Sequence, residues 1–202
     1  TEDTAEAAVE EPVVEAEPAE TEEENNLDNF ASPGNIVSTV PAGTGIMVLA
    51  TSDIEIFNNR ILNNKSVGTG IISYFMTELP VTDSLYNPYT SAIYIHDNVY
   101  KRKKQIPTLK HDIGKLLFIK FGRDVPDIIY DGMPDPKYTD SDGVVFPERN
   151  LCIYNNSGSE FVNLEIDINF EKWYTPYFTR FSQDVSRFSC ELPPLKEVLT
   201  SH

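Results

Sequence analysis

The 202-residue chain carries 32 acidic against 16 basic residues, a formal net charge of −16, with 40% apolar residues, 11 Phe and 10 Tyr. That suits one main domain with an added segment, with aromatics that favour β structure. It excludes a bilayer-spanning helix, because no apolar run approaches the roughly 18 residues required.

The charge is concentrated at the start. Eleven of the 32 acids lie between Thr1 and Asn26 with no Lys or Arg among them, which leaves 21 acids against 16 bases in the rest. Self-repulsion and low hydrophobicity predict a solvated arm over 1–44. No basic-then-apolar signal segment opens the chain, and its first residue is Thr, which predicts cleavage from a precursor. The folded body, 45–192, begins with the apolar run Ile46 to Ala50 and the alternating Asp53 to Phe57. Further strands are expected at Val67 to Met76, Ala92 to Tyr100, Lys115 to Phe121 (KLLFIKF, ended by Gly122), Ile128 to Tyr130, Val144 to Phe146 and Asn150 to Asn155. Leu79 to Thr90 and Val125 to Gly143 are rich in turn residues and read as long connections.

The clearest pattern is Glu160 to Phe170, EFVNLEIDINF, where Leu164, Ile166, Ile168 and Phe170 alternate with Asn163, Glu165, Asp167 and Asn169. Period-two alternation places one dry face opposite one wet face. The polar run Asn156 to Ser159 predicts a hairpin that pairs this strand antiparallel with Asn150 to Asn155. Val185 to Leu192 reads as a last irregular strand, and 193–202 as a C-terminal tail. No segment shows a sustained 3.6-residue period, and no internal repeat is evident. The expected fold is therefore all-β, an antiparallel two-sheet sandwich, an eight-stranded jelly roll with extended arms.

Chemistry is thinly marked. AGTG at Ala42 to Gly45 and VGTG at Val67 to Gly70 lack the third glycine or the Lys of nucleotide loops. Asp140 to Gly143 fails the calcium-loop register, and His96, His111 and His202 match no zinc spacing. Catalytic residues, metal ligands and cofactors are therefore all assigned as none. Cys152 and Cys190 read as free thiols in a reducing compartment, with a single bridge as the alternative. Asn64-Lys65-Ser66 and Asn155-Asn156-Ser157 are chance sequons on this reading. Lys101, Arg102, Lys103 and Lys104 form the basic contact candidate.

The stretch NLCIYNNSGSEFVNLEIDINFEKWYTPYF, followed by FTRFSQDVSRFSCELPPL, resembles the end of a capsid protein of insect- or plant-type picorna-like viruses. The resemblance covers about sixty residues. It implies a structural, non-enzymatic subunit of an icosahedral RNA virus shell, located in the virion and, during assembly, in host cytoplasm. Its partners would be other copies and sister capsid proteins, with indirect RNA contact and a host receptor. Trp173, Tyr174, Tyr177, Phe178 and Phe181 would then supply a subunit interface. The alternative is a secreted or cell-surface binding module for carbohydrate or protein, with Tyr86, Tyr89 and Tyr94 as a sugar platform.

Overall fold

Every named strand runs parallel to its sheet neighbours in the computed structural model, which describes residues 26–32, 34–77, 79–166 and 181–190. Strands β1 (Thr44–Leu49), β2 (Ser52–Phe57) and β3 (Arg60–Leu62) make one circuit, and β4 (Val67–Ile72), β5 (Ser91–His96) and β6 (Val99–Lys101) a second. A third contains β7 (Ile128–Tyr130) and β8 (Leu151–Tyr154), and its third side is reduced to a bridge between Ser157 and Val99. Strand β9 (Phe161–Asn163) opens a fourth. The sheets are β1-β4-β7-β9, β2-β5-β8 and β3-β6. A chain that returns to the same side after each circuit stacks its strands parallel, which is the topology of a β-solenoid.

This overturns the all-β antiparallel jelly roll. The architecture is of α/β type, with parallel strands in three sheets and one α-helix among the described residues. Strands β8 and β9 are not hairpin partners, because β8 pairs with β5 and β9 with β7. Asn156 to Ser159 turns a corner between sheets. Within Glu160 to Phe170 the strand covers Phe161–Asn163; Leu164 and Ile166 are buried beyond it, and Ile168 and Phe170 lie outside the described residues. Alternation reports a dry and a wet face, and the covered outer face of the first sheet, where Leu164 and Ile166 pack, meets that condition as well as a sandwich does. The predicted strand Lys115 to Phe121 belongs to helix α1 (Asp112–Phe121), which ends where Gly122 adopts φ 61°. Ile113, Leu116, Leu117 and Phe121 share one helical face. Val185–Phe188 is a short 3-10 helix rather than a strand.

Two cores follow from the winding. Val48, Ile56, Ile61, Ile71, Ile93, Ile95, Ile128, Leu151 and Ile153 fill the interior of the coil. They stack by register, as in Ile54–Ile93–Leu151 and Ile56–Ile95–Ile153. Phe188 joins this core against Tyr130 and Phe161, with ring centroids 5.7 and 5.2 Å away. The outer face of the first sheet forms the second core, where Ile72, Ile129 and Val162 meet Leu116 and Leu117 of α1. A sheet covered on both faces explains why β4 is buried at every position. It also explains the glycines of VGTG: a Cβ on Gly70 would stand 2.9 Å from Met47 Sδ, so the sheet face accepts Met47 because Gly70 is bare.

Circuits are also tied by polar groups. The fully buried Asp131 carboxylate accepts Ser73 N at 2.6 Å and Met133 N at 3.0 Å. Burial pushes its pKa up from 3.8 to about 6, although these hydrogen bonds favour the anion.

Candidate functional site

The corner that follows the second sheet is built three times from one local pattern: IEIFNN at 54–59, IYIHDN at 93–98 and LCIYNN at 151–156. The alternating apolar residues enter the coil. Asn58, Asp97 and Asn155 then take φ of 55°, 52° and 47°, a left-handed turn that Asn and Asp tolerate better than most residues. The final Asn of each unit stacks into a ladder. Asn59 Nδ2 and its backbone N both donate to Asn98 Oδ1 at 3.0 Å, and Asn98 Nδ2 donates to Asn156 Oδ1 at 2.9 Å. Asn98 Nδ2 also meets the carbonyls of Ile56 and His96 at 2.9 and 2.8 Å, and Asn156 Nδ2 those of Ile95 and Tyr154 at 2.8 and 3.0 Å.

Outside the coil the same register stacks Phe57, His96 and Tyr154. Ring centroids are 5.3 and 4.8 Å apart and the planes nearly parallel, at 6° and 8°. His96 Nε2 lies 2.9 Å from Glu55 Oε1 and Nδ1 lies 2.7 Å from Asp97 Oδ2. With a carboxylate at each ring nitrogen, this geometry favours the doubly protonated ring, which donates at both. Burial works to lower the imidazole pKa, but the hydrogen bonds and charges of Asp97 and Glu55 prevail and raise it. Asp97 in turn is held low by its bonds from His96 and from the exposed Asn155 amide.

Among the described residues the second sheet reaches β8, whereas the first continues to β9. This mismatch opens a groove of about 660 Å³ against the end of the stack. Ile153, Tyr154, Asn155, Asn156, Ser159, Glu160 and Phe161 line it from the coil; Gln183, Val185 and Ser189 line it from the C-terminal segment. Three ties hold that wall. Cys152 and Cys190 are disulfide-bonded with Cα atoms 5.5 Å apart, Phe188 sits in the coil interior, and Asn163 and Ser182 exchange backbone bonds of 2.8 Å. The expected free thiols are thus corrected. Cys152 alternates with the interior residues Leu151 and Ile153, and its bond to Cys190 ties the C-terminal segment to β8.

The sequence-marked residues are dispersed. Arg102 donates to the carbonyls of Val125 and Lys65, both at 2.8 Å, and is structural. Lys104 pairs with Asp124 at 2.6 Å, while Lys101 and Lys103 are exposed. Phe181 packs edge-on to Phe121 at 5.1 Å; Trp173, Tyr174, Tyr177 and Phe178 lie outside the described residues. Tyr86 packs on Tyr74, Tyr89 on Phe75, and the Tyr94 hydroxyl donates to Glu148 O at 3.3 Å, so the three make separate contacts rather than one platform. Asp140 accepts Asp142 N and Val144 N within its own turn. Of the sequons, Asn64 is buried and Asn155 exposed.

Fold and groove together define a β-solenoid with a polar cleft ended by an aromatic ring. No family model matches the sequence, and no curated protein or solved structure matches it.

Proposed function

We propose that the chain is a carbohydrate-binding module of an oxidising compartment. The observation that carries this is the groove. Its volume falls within the roughly 300–1,000 Å³ of ligand clefts. Asn155, Ser159, Gln183 and Ser189 offer donors and acceptors for hydroxyl groups, and Tyr154, Phe161, Val185 and Ile153 offer apolar surface for the C–H face of a sugar ring. Tyr154 is held by its stack on His96, and the wall by the disulfide, so little ordering is left for binding to accomplish. The Cys152–Cys190 bond supports an oxidising compartment. The shell-subunit expectation rested on a jelly-roll ending, and a solenoid removes that premise.

Titration calorimetry of the full chain against a panel of oligosaccharides tests the reading. A saturable ligand whose affinity falls about two- to tenfold in Tyr154→Ala is expected, the scale of a lost aromatic contact. Silence across the panel refutes it, and a megadalton particle on size exclusion would revive the shell.

A further inference from the structure

Glu160 is the one charged side chain among the described residues that line the groove, and it is exposed. Its own backbone N–H donates to Asp127 Oδ2 at 3.1 Å, which fixes the Glu160 backbone beside the groove. The cations nearest in charge are committed elsewhere. Arg102 interacts electrostatically with Glu160, but its guanidinium donates to the Val125 and Lys65 carbonyls. Lys104 is paired with Asp124. His96, which stacks on Tyr154, lies between the Glu55 and Asp97 carboxylates. An anionic sugar would therefore enter a site with a carboxylate and no Lys or Arg among its described lining residues. It would lose hydration without gaining a partner. A sugar amine meets the opposite situation, with a carboxylate acceptor at one end and amides and hydroxyls along the wall.

We infer that the groove selects amino sugars, binding glucosamine-type rings through an ammonium–Glu160 contact with the ring's apolar face toward Tyr154. This rests on the carbohydrate reading and narrows it. One exposed ion pair contributes up to about 1 kcal/mol, equivalent to roughly fivefold in affinity.

The test is calorimetry of the full chain with four linear tetrasaccharides: of glucosamine, N-acetylglucosamine, glucose and galacturonate. Mildly acidic buffer keeps the amine charged. The glucosamine oligomer should bind roughly fivefold tighter than its acetylated form, with galacturonate weakest, and added salt should erode the gap. Glu160→Gln should remove that preference, so that the amine and acetylated oligomers bind alike; an unaltered melting temperature shows that the variant folds. Equal affinity for amine and acetylated forms, or galacturonate binding as well as glucosamine, overturns the inference while the groove reading stands. Failure of all four overturns both.

Discussion

Replacing Asn98 with alanine tests the ladder that registers the circuits. The residue is 1% exposed. Its carbonyl oxygen receives two donors from Asn59, and its amide faces the carbonyls of Ile56 and His96 and the Asn156 oxygen. Alanine leaves the Asn59 N–H and the Ile56 and His96 carbonyls without these partners, at about 1–3 kcal/mol for each group that water does not reach. Partial relaxation brings the expected loss to about 3–5 kcal/mol, a large share of the roughly 5–15 kcal/mol that holds a typical domain. Urea unfolding followed by circular dichroism reads this directly. Asn156→Ala removes the next rung, so the double variant should lose less than the sum of the singles. A loss below about 1 kcal/mol in Asn98→Ala, or strict additivity with Asn156→Ala, refutes the claim that the ladder acts as one unit.

Asp131 gives a pH signature. Its folded pKa is raised from 3.8 to about 6, so the native state binds the proton more tightly than the unfolded chain. Its contribution is therefore most favourable below 3.8 and is lost as pH rises through 6. At about 1.36 kcal/mol per pH unit this amounts to about 3 kcal/mol. Asp131→Asn cannot ionise and should gain on the wild type by that amount across the interval; a stability difference independent of pH contradicts the assignment. Reduction of Cys152–Cys190 opens a loop with a sequence separation of 38. The chain-entropy relation then gives a loss of up to about 4 kcal/mol. Thermal melts with and without reductant should show that loss together with weaker sugar binding, and an unchanged melt would mean the bond does not hold the wall.

Much of the local structure is legible in the residues. The apolar alternation of 54–57, 93–96 and 151–154 marks strands, and the Asn and Asp residues after them mark turns. The repeat itself, IEIFNN, IYIHDN and LCIYNN, is also written in the sequence. It is obscured because its rungs stand 39 and 58 residues apart, while repeat searches look for a constant period. The separation grows because the connection between β7 and β8 is a long excursion, and helix α1 lies between β6 and β7. KLLFIKF fits either secondary structure over so few residues, and Ile113 and Phe121 decide for a helix once the outer face of the first sheet needs a cover. The groove left little trace in the sequence. It arises because, among the described residues, the first sheet has a strand more than the second, and because residues 181–190 return to form its wall, a long-range event that local patterns do not encode.

The excursions have a consequence for tolerance to change. Each circuit contacts mainly the circuit on either side of it, so stability accumulates rung by rung. The segments between β4 and β5 and between β7 and β8 leave the coil after a first-sheet strand and return before a second-sheet strand. Their length is thus uncoupled from the pitch of the winding. The coil acts as a spindle on which side loops can be lengthened, shortened or exchanged while the rungs stay in step. New surface can be grafted onto this molecule there without renegotiating its core.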